Sequence, residues 1–87
     1  MQTVVLYKAT VIAEIAVMAL QESSLDLIGI VDEKGVGSKF LHYRVLPMDV
    51  LRQIDYDRLI ITSEDSFEKV AEHLRRYEVD EKKICSF

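Results

Sequence analysis

The first apolar stretch of this chain, "VVLYKATVIAEIA" at residues 4–16, contains no glycine, and the whole 87 residues hold only three. A glycine-rich phosphate cradle of the usual form is therefore excluded from that stretch. Cysteine is scarcer still. Cys85 stands alone, so no internal disulfide can form, which agrees with a reducing, cytoplasmic setting. Positive charge is in deficit, with 11 Lys and Arg against 15 Asp and Glu and a net charge of −4. No global field draws nucleic acid or anionic lipid, and the dense basic spots are confined to Arg75-Arg76 and Lys82-Lys83. Direct nucleic-acid binding by this domain is not expected. Long apolar runs are missing too. The run Val11–Leu20 is interrupted by Glu14 and is too short to cross a bilayer, and Met1-Gln-Thr brings no basic leader region. Neither a membrane segment nor a signal peptide is expected.

What remains is an ordinary globular composition, 49% hydrophobic and 30% charged with one proline. The length allows one domain over residues 1–87, read either as complete or as a fragment of a longer protein. A chain this small buries roughly 60–65% of its unfolded surface, enough for a single core with little surplus stability. Extra burial would help it, so a homodimer or a covalently linked partner domain is expected.

Thr3–Tyr7 is short, apolar and rich in β-branched and aromatic residues, which suits a strand buried on both faces. Thr10 can cap a helix over Val11–Gln21 that is apolar nearly all round. Leu25–Val31 reads as a second strand, followed by the polar loop "DEKGVGSK" at 32–39 and a short edge strand around Tyr43–Leu46. Pro47 fits the first turn of a short helix over Met48–Ile54, and Asp55–Asp57 makes a turn. Arg58–Thr62 is a further buried strand. Ser63 is placed to cap the next helix, with Glu64 and Asp65 in its first turn. Phe67, Val70, Ala71, Leu74 and Tyr77 share one face of that helix, Arg75 and Arg76 occupy its last turn, and Lys82–Phe87 closes as a strand. Alternating buried strands and helices predict an α/β fold: a three-layer, Rossmann-like parallel sheet in order 3-2-1-4-5 with helices on both faces.

In such a sheet ligands sit beyond the carboxyl ends of the strands where the strand order reverses. That point would be built from Lys8, Ala9, Thr10 and Val11 after the first strand and from Thr62 and Ser63 after the fourth. Asp32 lies on the adjoining rim. Laid on the dinucleotide fingerprint, Lys8 and Thr10 take the first two glycine positions and only Ala13 keeps a small residue. Helix amides, the Lys8 charge and the Thr10 hydroxyl could still hold an anion, and Asp32 falls where a ribose-binding carboxylate belongs. The plainer reading stays open: Lys8 solvated, Thr10 only a cap, Asp32 only a strand stop. "GVGSK" at 35–39 lacks phosphate-loop spacing and reads as a surface turn. His42 and His73 are far apart in sequence from each other and from Cys85, so no metal site is expected, and Cys85 reads as a small buried thiol. Neither a serine–histidine–acid grouping nor Tyr-x-x-x-Lys is present, and an enzyme is not expected.

Gly29-Ile-Val-Asp32, the Gly35/Gly37 loop, Val45-Leu-Pro47, Tyr56-Asp57 before Leu59–Thr62, and Lys83-Ile84 follow one another along nearly the whole chain. This pattern resembles the Rossmann-like, CoA-binding-type module that precedes the catalytic part of sugar-nucleotide dehydratases and epimerases of polysaccharide biosynthesis. "VVLYKATVIAEIAVMALQES" is similar to the C-terminal sensory modules of bacterial winged-helix regulators. The resemblance implies a nucleotide-type ligand, with NAD or CoA as the cofactor classes. It also implies a non-catalytic sensory or regulatory module of a bacterial transcription regulator whose nucleotide loop is degenerate. The alternatives are a nucleotide- or CoA-binding accessory domain of a sugar-nucleotide enzyme, or a purely structural dimerisation domain.

Overall fold

A computed structural model describes all residues 1–87. Its centre is β1 (Thr3–Tyr7), flanked by β2 (Asp26–Val31) and β5 (Arg58–Ile61), both parallel to it. β4 (Tyr43–Leu46) adds in parallel beyond β2, and β6 (Ile84–Ser86) beyond β5. β3 (Lys39–Phe40) pairs antiparallel with β4, giving six strands in the order β3-β4-β2-β1-β5-β6.

β1 is central because alternate residues serve opposite faces of the sheet. Val4 and Leu6 join Ala13, Ala16, Val17 and Leu20 of helix α1 (Val11–Gln21) and Ile30 in one apolar cluster. Val5 and Tyr7 point the other way, into a larger cluster with Leu59, Ile61, and Val70, Ala71 and Leu74 of helix α2 (Phe67–Leu74). The core is thus divided by the sheet rather than single. The β1–β2 register slips between Val4 and Val5, opposite Ile28, so that Leu27 and Ile30 both serve the α1 side.

A three-layer, wholly parallel Rossmann-like sheet in order 3-2-1-4-5 is not what the chain forms. The sheet is mixed, it has six strands, and it carries two α-helices in all. The cause lies between β2 and β4. Residues 32–42 hold no helical segment but a glycine turn and the two-residue β3. Gly37, at φ +87°, donates its N–H to Val45 O at 2.8 Å, and Ser38 O accepts from Val45 N, tying the chain back along β4. The helix expected at Met48–Ile54 is a 3₁₀ turn over Met48–Arg52 that buries Met48 and Leu51. Ser63 does not cap α2. Ser66 does, accepting Lys69 N–H at 3.4 Å, and the helix begins at Phe67, which is itself exposed. Arg75–Tyr77 and Glu81–Lys83 are 3₁₀ turns, so β6 starts only at Ile84. Cys85 is half-buried rather than buried. On α1 the apolar side chains Val11, Ile15 and Met18 face solvent, opposite the sheet. No helix is long and apolar enough to cross a membrane.

Candidate functional site

Lys8, at the first of the two missing-glycine positions, nevertheless adopts the glycine conformation, with φ +88°. A side chain with a β-carbon is strained there by roughly 1–2 kcal/mol. Hydrogen bonds on both sides hold it. Lys8 N–H donates to Val31 O at 2.9 Å, and Lys8 O accepts from the Thr62 hydroxyl at 2.7 Å. That hydroxyl, wholly buried, also lies 2.7 Å from Tyr7 O, so one proton is shared between two carbonyls.

The next residues close the loop on itself. Asp32, buried at the end of β2, accepts Ala9 N–H at 3.0 Å on one oxygen and Lys34 N–H at 3.0 Å on the other. The first loop amide, which would face a bound phosphate, is thus already bonded to a carboxylate of the chain. Thr10 caps α1, accepting Ala13 N–H at 3.2 Å while donating to Thr62 O at 2.5 Å. Five of the seven residues singled out from sequence, Lys8, Ala9, Thr10, Asp32 and Thr62, are therefore joined by hydrogen bonds to one another or to their strands. Val11 stands apart with its side chain exposed. Ser63 engages only Asp65, accepting its N–H at 3.1 Å.

The open space lies on the other side of this loop. A cavity of about 380 Å³ is walled by Tyr7 and Lys8 from β1 and its end and by Glu33 and Lys34 after β2. Asp65, Lys69, Val70 and His73 close it from α2 and the turn before it. Glu33 is its hub. One carboxylate oxygen accepts the Tyr7 hydroxyl at 2.7 Å and His73 Nε2–H at 2.6 Å, and the other lies 3.4 Å from Lys8 Nζ. Partial burial works to raise the Glu33 pKa, but the bonds from Tyr7 and His73 and the Lys8 charge outweigh it and hold the carboxyl at about 2. Burial, and then the bond to the Glu33 anion, push the Tyr7 phenol well above its ordinary value. The Tyr7 and His73 rings lie 6.2 Å apart, and His73 meets Tyr77 edge-on at 5.7 Å. Lys34 and Lys69, by contrast, have no carboxylate within ion-pair reach, and neither has Asp65 a cation.

Residues 1–85 match the family model described as C2185-like, N-terminal. The chain belongs to that family. No curated protein matches it. The domain's hub, Glu33, and the α2 pair Lys69 and His73 were not among the residues singled out from sequence. The available signal was modest: Lys69 and His73 are four apart on one helical face, and Asp65 lies four before Lys69. On a helix, that spacing reads first as a solvated surface. No group of three His, Cys, Asp or Glu side chains gathers as a metal ion would need.

Proposed function

We propose that the domain is a non-catalytic sensory module that binds a nucleotide-type small molecule in the cavity between the ends of β1 and β2 and α2, as part of a bacterial transcription regulator. The observation that carries this reading is the cavity's wall: seven of its eight residues are ionisable, two of them lysines without a partner. Glu33 is held ionised and hydrogen-bonded, so it supports orientation of a ligand better than proton transfer at neutral pH. The family's description by its N-terminal position supports a covalently linked neighbour that reads out the bound state. NAD or CoA in the usual loop geometry is disfavoured, because Asp32 holds the Ala9 amide.

Calorimetric titration with ADP, NAD(H), CoA and UDP-sugars tests the reading. Heat of binding that weakens in Lys69→Ala is expected, and silence across the panel at millimolar ligand would refute it. A UDP-sugar as the sole binder would favour the accessory-domain alternative. A second reading rests on α1. Its outward Val11, Ile15 and Met18 have no cover, which favours a homodimer through that helix. Sedimentation of the wild type and of Ile15→Glu decides it, since a dimer lost in the variant is required.

A further inference from the structure

Beside the first cavity lies a second, of about 470 Å³, walled only by polar side chains, namely Lys69, Glu72, His73, Arg75 and Arg76. The two share Lys69 and His73, so they adjoin along α2 as a trough in two parts. Together their walls carry five lysine and arginine side chains against three carboxylates, in a chain whose net charge is −4. Local charge therefore opposes global charge, which is the arrangement that focuses an anion into a cleft.

The cations differ in how committed they are. Lys8 is held by Glu33 at 3.4 Å and Asp32 at 3.8 Å, and Arg75 is paired with Glu81. Lys69 and Arg76 form no ion pair. They stand seven residues apart with His73 between them, at i, i+4 and i+7, so the three line one side of the helix and its 3₁₀ extension. That row is about 10 Å long at helical rise, enough for a diphosphate and the group that carries it. At its inner end the trough changes character. Tyr7 and Val70 offer apolar surface, and Glu33 and Asp65 offer acceptors for hydroxyl groups.

The geometry points to a diphosphate ester as the ligand class, with its phosphates along Lys69 and Arg76 and its hydroxyl-bearing organic part in the cavity over Glu33 and Asp65. This rests on the cavity being a ligand site at all, and the experiment separates the two failures. ADP, adenosine and inorganic pyrophosphate are titrated in metal-free buffer into the wild type, Lys69→Ala, Arg76→Ala and Lys39→Ala. The last removes an equal charge from β3, away from the trough. ADP is expected to bind more tightly than pyrophosphate, and pyrophosphate to compete with it. Lys69→Ala and Arg76→Ala are each expected to weaken ADP about five- to tenfold, as loss of a charge-assisted phosphate contact does. Lys39→Ala should leave it unchanged. ADP binding weakened by Lys69→Ala but not by Arg76→Ala, or adenosine binding as well as ADP, overturns the diphosphate placement and leaves the cavity as the site, whereas ADP binding that ignores both variants overturns the cavity too. Pyrophosphate binding as tightly as ADP overturns the role of the organic part. No binding by any probe overturns both.

Discussion

Replacing Lys8 by glycine and, separately, by alanine measures how much the β1–α1 loop relies on a strained residue. Both variants lose the lysine charge and its contacts with Asp32 and Glu33 equally, so those losses cancel. The difference between the two variants therefore isolates the backbone. At an ordinary position glycine is the less stable of the two by roughly 0.5–1 kcal/mol, through the entropy of the unfolded chain. At φ +88° the alanine β-carbon instead costs roughly 1–2 kcal/mol in the folded state, which glycine does not suffer. The order inverts, and Lys8→Gly should be more stable than Lys8→Ala by about 0.5–1 kcal/mol. In a domain of this length that is roughly 2–8 °C in Tm. Urea unfolding followed by far-UV circular dichroism reads it directly, since the chain has no tryptophan. An alanine variant as stable as the glycine variant, or more so, refutes the strained loop.

Thr62→Val keeps the shape but removes the proton shared by the Tyr7 and Lys8 carbonyls, and should cost about 1–3 kcal/mol by the same unfolding assay. Leu59→Ala opens a cavity under β5 where the side chain is fully buried and should cost about 2–5 kcal/mol. Glu33 titrates at about 2 in the fold against an ordinary 4.5. Its contribution is therefore complete above the higher value and lost as pH falls through the lower one. With about a third of the side chain exposed, screening reduces that contribution to roughly 1–2 kcal/mol, and Glu33→Gln should flatten the acid limb of the stability curve between those pH values. An unchanged acid limb in Glu33→Gln would show that the Tyr7 and His73 bonds do not stabilise the anion.

What could be read in the sequence was local. Thr3–Tyr7 declares a strand buried on both faces because every residue in it after Thr3 is large and apolar. Thr10 declares a helix start because its hydroxyl needs only the amide three residues on. What could not be read was anything set by register or by competition. The two-residue β3 is too short to show a period, so the mixed sheet left no trace. The sequence alone places the cap at Ser63, three residues before the Ser66 that caps α2, because the helix start depends on where the chain leaves β5. Asp32 and Ala9 meet only because Tyr7 pairs with Val31, a fact about two strands and not about either segment. Glu33, Lys69 and His73 look like solvated charges until α2 lies across the end of β1.

The Asp32 carboxylate has one more consequence. It is an anion tethered to the very amide that a phosphate would seek, and a tethered group competes at an effective concentration that dissolved ligands rarely match. The loop therefore behaves as if permanently occupied. Glycines introduced at Lys8 and Thr10 would widen the space and still leave the competitor in place. Only when residue 32 cannot accept a hydrogen bond, as in Asp32→Ala, does that amide become available to an outside anion.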